Sequence, residues 1–158
     1  MKNHKAFYTV IFFILVAGLT ILFAQSKKLM PAIILPDEVK WNASTNSSNG
    51  IQTIVLTGDP DKDEFYTTRV KIPANLKLQP HWHPEDRVVT VISGTLYYSY
   101  GDLFDESKLM AMPPGTFFTE PSTQHHFAWA KKSDVVVQVV GFGPTGTTFL
   151  KSSDRKKN

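Results

Sequence analysis

Two histidines one residue apart, His81 and His83, open the stretch PHWHPEDRVVTVISG at residues 80–94. Successive side chains on a β-strand point to opposite faces, so this spacing sets both imidazoles on one face. A metal ion takes donors from several directions, so a third must come from a distant strand. The segment GTFFTEPSTQHHF, residues 115–127, supplies His125 and His126. A lone histidine in a β domain is more often a hydrogen-bonded structural residue. A pair at this spacing with another at a second turn points instead to a metal site. The chain has no cysteine, so disulfides, thiolate ligands and cysteine nucleophiles are excluded, and any metal is held by nitrogen and oxygen.

The elements that must position these residues read as strands. IQTIVL, FYTTRVKI, LKLQPHWH, RVVTVIS, GTLYYSY, TFFTEP, HHFAWA and VVVQVVGF are short, rich in β-branched and aromatic residues, and separated by Gly, Pro and Asp. FYTTRVKI alternates, placing Tyr66, Thr68, Val70 and Ile72 on one face. Only DESKLMAM reads as a helical turn. Ahead of these, LMPAIILPDEVKW reads as an arm able to lay one short strand on the domain, followed by the polar loop NASTNSSNG. About eight short strands predict an all-β sandwich or small barrel, a jelly roll.

At the two histidine segments the sequence resembles the cupin superfamily, whose fold is a double-stranded β-helix. The family's first motif runs Gly, five residues, His-x-His, three or four residues, Glu, six residues, Gly. His81, His83 and Gly94 match it, while Asn75 stands at the opening glycine and Arg87 at the glutamate. The second motif runs Gly, five residues, Pro-x-Gly, two residues, His, three residues, Asn. Gly115, Pro121 and His126 match, and Thr123 and Ala130 replace the second glycine and the asparagine. The resemblance covers about residues 51–143.

The resemblance implies that His81, His83 and His126 are metal ligands and that the fourth, a glutamate, is lost. Three readings stand. A three-histidine site still holds a divalent transition metal (Fe, Zn, Ni, Mn or Cu), with Arg87 orienting a substrate carboxylate in a two-pronged geometry. Alternatively Glu85, Asp86 or Glu120 replaces the missing ligand. In the third reading the site is degenerate and binds an organic ligand or nothing. Taken alone, Arg87 also fits a solvated strand cation paired with Glu85 or Asp86. His125 reads as an outward-facing neighbour of His126. No separate general base stands out, though Glu85, Glu120 and the tyrosines are candidates.

The chain has 158 residues, room for one domain, and only 20% are charged, which argues against disorder. The formal net charge is +3, and without Lys2 and Lys5 of the leader it is 15 basic against 14 acidic, or +1. That is too little to suggest nucleic acid as a partner. The leader MKNHK is followed by 19 apolar residues, 6–24, and then QSKK. This order of charge and apolar core reads as a signal peptide or an uncleaved membrane anchor over residues 1–25, either of which exports the rest. The expected organisation is that leader, an arm or linker over 26–50, a cupin barrel over 51–150 and a basic tail over 151–158. By resemblance the function is an exported metal-binding cupin that oxygenates or isomerises a small anionic molecule. The alternative is a non-catalytic ligand-binding or sensing module. The family also implies a homodimer, with the apolar arm, residues 29–41, as the contact that needs cover.

Overall fold

The computed structural model describes residues 29–41 and 49–151. Ten strands form between Gln52 and Phe149: β1 (Gln52–Thr57), β2 (Phe65–Ile72), β3 (Lys77–Trp82), β4 (Arg87–Ser93), β5 (Leu96–Tyr100), β6 (Met110–Met112), β7 (Phe117–Glu120), β8 (His126–Trp129), β9 (Val135–Phe142) and β10 (Thr148–Phe149). They pair into two five-stranded antiparallel sheets, ordered β1-β2-β9-β4-β7 and β10-β3-β8-β5-β6. From β2 to β5 and from β6 to β10 successive strands alternate between the sheets, while β1–β2 and β5–β6 are hairpins within one sheet, an arrangement of the jelly-roll kind. The chain divides into two compact units, Met1–Pro31 and Ala32–Asn158, and the strands lie in the second. Among the described residues no helix is long and apolar enough to cross a membrane. The leader and the tail beyond Lys151 lie outside the described residues.

All eight expected strands form. The alternation in β2 holds: Tyr66, Thr68 and Ile72 are buried, whereas Phe65 is exposed. Their partners on the same face are Val89 and Val91 of β4, Val137 and Val139 of β9, and Leu96 and Tyr98 of β5 across the sandwich, all at most 5% exposed. Burying such a core supplies about 25 cal/mol per Å² of apolar surface.

One expectation fails and another holds only in part. The arm forms no strand among its described residues; Pro36–Glu38 is a single 3-10 turn, and the Glu38 carboxylate accepts the Leu35 N–H at 2.9 Å. Pro36 has no N–H for a ladder, and the carboxylate offers a local alternative. The segment expected to be helical is helical only over Glu106–Lys108, where Asp105 caps the turn, and then becomes β6. Pairing with β5 (Leu96 opposite Met112) overrides the local preference there.

Turns fix the register at both ends of β4. Gly94 follows β4 with φ +74°, and a Cβ there would stand 2.4 Å from the Asp134 carbonyl oxygen. Only glycine fits such a position. At the other end Pro84 closes β3, so Glu85 and Asp86 lie in the β3–β4 turn rather than on a strand face.

Candidate metal centre

His81 ends the inward face of β3 and stands directly opposite His126, which starts β8. His83 follows β3 by one residue. All three are buried, at 6%, 3% and 1% exposed, and one ring nitrogen of each lies within 4.8 Å of the others'. The pattern in the sequence therefore does bring these three together. His125, adjacent to His126, faces away and pairs with Asp102 at 2.7 Å.

The hydrogen bonds set the tautomers. His81 Nδ1 meets the Gln79 carbonyl at 2.7 Å, His83 Nδ1 the Gly146 carbonyl at 2.6 Å, and His126 Nδ1 the Gln124 carbonyl at 2.9 Å. A carbonyl oxygen only accepts, so each Nδ1 carries the proton and each Nε2 keeps its lone pair. Burial lowers all three pKa values, His81 to about 4 and His83 to about 3, with His126 and Arg87 respectively adding to the effect of burial. The imidazoles are neutral near pH 7, the state in which they ligate metal.

Arg87 starts β4 and faces inward. It lies directly opposite Glu120 at the end of β7, and on its other side opposite Gly141 of β9. Its Nε donates to Glu120 Oε2 at 3.0 Å, Nη2 donates to the same oxygen, and Nη2 also donates to His83 Nε2 at 2.6 Å. Arg87 is thus not a solvated cation paired with Glu85 or Asp86. Burial pushes the Glu120 carboxyl up, but the Arg87 guanidinium, with His126 and His83, overrides that and holds it below its ordinary value. With the imidazoles neutral, Arg87 is the charge that matters.

The three acids near the site separate clearly. Glu120 Oε1 lies 3.4 Å from His126 Nε2, and Oε2 lies 3.8 Å from His83 Nε2. Glu85 instead accepts hydrogen bonds from the Tyr66 hydroxyl at 2.7 Å and from the Thr145 hydroxyl. Asp86 accepts from the Ser122 N–H at 2.6 Å. Thr145 is a functional candidate that the sequence did not mark, and Tyr66 was marked only as one of the tyrosines and by its inward parity on β2. Gly141 makes room for that phenol, since a Cβ there would stand 2.7 Å from the Tyr66 hydroxyl.

His81, His83, Arg87, Glu120, Tyr66 and Thr145 line a cavity of about 300 Å³ between the sheets, and His126, only 1% exposed, packs against His81 and His83 without lining it. Away from the histidines its wall is apolar, with Val70, Leu78, Leu96 and Val137. The buried His126 Nε2 has no hydrogen-bond partner. An orphaned lone pair beside two further neutral imidazoles suits a divalent ion, so the three histidines could hold a metal. His83 contributes once Arg87 releases its Nε2.

Residues 30–145 match the model of the ChrR cupin-like domain family. The chain belongs to that family. No curated protein matches it in sequence. Among solved structures, this cupin is similar to KdgF from a Halomonas species, at 20% identity and TM-score 0.55 over 72% of this chain and 96% of that one. It is also similar to the polyketide cyclase RemF from Streptomyces resistomycificus, at 20% identity and TM-score 0.58 over 78% and 89% of the two chains. An RmlC-like cupin from Ralstonia eutropha gives 18% identity and TM-score 0.60 over 87% and 81%. At these identities the likeness establishes the fold.

Two departures from the cupin motifs acquire a structural meaning. Asn75 and Thr123, which stand where the motifs carry glycine, have φ of 64° and 61°. The left-handed backbone that a glycine would adopt freely is thus present here at Asn and Thr. Asn tolerates that region; a β-branched Thr is strained in it.

Proposed function

We propose that this chain is a metal-dependent cupin acting on a small organic anion, in the manner of an oxygenase or isomerase, with a divalent transition metal held by His81, His83 and His126. The observation that carries the reading is the convergence of three neutral, buried imidazoles, each with Nδ1–H tied to a carbonyl, beside a cavity of about 300 Å³ that His81 and His83 line. A bound ion would supply a Lewis acid that polarises a ligand oxygen.

The chain's own residues do the rest. A dication with Arg87 outweighs Glu120 and Glu85, so the pocket favours an anion. The two-pronged edge of Arg87 is already committed to Glu120 and His83, so Nη1, which makes no hydrogen bond among the described residues, orients the substrate. Glu85 does not line the cavity, but the phenol of Tyr66 does and donates to it. A proton taken up at the Tyr66 oxygen passes on to Glu85 as the phenol releases its own. Burial pushes the Tyr66 pKa up to about 12, which keeps the phenol protonated for that relay.

The test is elemental analysis of the purified chain beside a His81→Ala/His126→Ala variant, followed by a screen of small carboxylic acids for turnover. Near one metal per chain in the first and none in the second supports the reading. Equal, negligible metal in both after reconstitution overturns it. The Arg87–His83 hydrogen bond favours a second reading, a metal-free ligand-binding or sensing module in which a guanidinium takes the lone pair that an ion would use. A tight organic ligand retained without metal would select it. Export is part of the proposal and is supported by the basic start and the apolar run over 6–24. Pairing with a second copy is supported by the exposed apolar arm.

A further inference from the structure

We propose that Glu120 supplies a carboxylate ligand to the metal centre, replacing from β7 the glutamate that the cupin motif would place on β4. This rests on the metal reading above and adds a fourth ligand to it. The first argument is register. Arg87 occupies the motif's glutamate position, and Glu120 is its direct cross-strand partner. The carboxylate therefore stands at the same level of the barrel, one strand over.

The second argument is how the carboxylate oxygens are used. Both guanidinium donors go to Oε2, and Oε1 accepts no hydrogen bond from the described residues. Facing Oε1 at 3.4 Å is His126 Nε2, whose ring proton is held at Nδ1 by the Gln124 carbonyl. A carboxylate oxygen and an imidazole lone pair are both acceptors. Brought to 3.4 Å with the ring proton held at Nδ1, they repel, and a positive species shared by both removes that cost. For the His126 pair the spacing fits a metal, since donors at about 2.1 Å from a tetrahedral ion stand about 3.4 Å apart. The donors already within 4.8 Å of one another are those of the three histidines, so the Glu120 carboxylate closes in to join them. Arg87, still on Oε2, would neutralise the carboxylate while Oε1 ligates. His83 joins when its Nε2 exchanges the Arg87 N–H for the ion.

Cobalt(II) serves as the probe, because its visible ligand-field bands report the donors directly. The purified full chain, stripped with chelator, is titrated with cobalt beside Glu120→Gln, Arg87→Gln and the double variant. Glu120→Gln leaves Arg87 without its buried counterion and Arg87→Gln leaves Glu120 without its own. The double variant, which removes both charges, is included as the variant with no stranded charge, and urea unfolding checks that each protein is folded. The expected result is that losing Glu120, in either background, weakens cobalt binding at least about tenfold and changes the bands at saturation. Bands and affinity unchanged between Arg87→Gln and the double variant would overturn the proposal while leaving the three-histidine site standing. No cobalt uptake by the unsubstituted chain would overturn the metal reading and this proposal together.

Discussion

Arg87 on β4 and Glu120 on β7 are direct cross-strand partners, with both guanidinium donors on one carboxylate oxygen and the carboxylate only 6% exposed. A buried pair of this kind is costly to break and cheap to replace whole.

Glu120→Leu alone should therefore destabilise the metal-free chain by about 3 kcal/mol, because it strands a buried guanidinium. Arg87→Met/Glu120→Leu should recover most of that loss. Urea unfolding with chelator present measures both. A double variant no more stable than the single one would show that the pair is not the unit of stability.

The same site predicts acid lability. His81 and His83 titrate near 4 and 3 in the folded chain and near 6.5 when unfolded. Below about pH 6.5 the unfolded chain therefore binds protons that the folded chain refuses, and stability falls as pH falls toward 4 and then 3. Glu120, also lowered, contributes in the same direction. The urea midpoint of the chelator-treated chain should decline steadily from pH 7 to 4. Metal should delay the decline, since protons must then compete with it for Nε2. A flat midpoint over that range would contradict the buried neutral imidazoles.

Thr123, at φ 61°, donates its N–H to the His83 carbonyl at 2.8 Å, so its turn braces the end of β3. Thr123→Gly should raise stability by about 1 kcal/mol by relieving left-handed strain, whereas Thr123→Ala, which keeps a Cβ, should gain little. Thermal unfolding of the three proteins ranks them. Equal melting temperatures would mean that the turn has relaxed at no cost.

Ile33 and Leu35 of the arm are 88% and 55% exposed. Covering such side chains with a second copy predicts a dimer in sedimentation, converted to monomer by Ile33→Ser/Leu35→Ser. A monodisperse monomer before substitution sinks that expectation.

The strands were legible because their signals are local. Alternation in FYTTRVKI and the β-branched run of VVVQVVGF need no partner to be recognised, and Gly94 marks a turn that excludes a side chain. β6 and β10, three and two residues long, carry too little pattern and exist because β5 and β3 offer them ladders. The arm's apolar residues resembled a strand, but Pro36 and the Glu38 side chain closed a local turn first.

The site divides in the same way. His-x-His spacing alone determined that His81 and His83 share a neighbourhood, and the motif spacing brought in His126. Which acid stands by them was beyond local reading. Glu85 is two residues from Arg87 in the chain, yet Pro84 ends the strand and turns it toward Tyr66 and Thr145. Glu120 is 33 residues from Arg87 and pairs with it directly. The sequence by itself determined an all-β chain with three histidines able to meet. The pairing register between distant strands, set by packing across two sheets, decided which charges surround them.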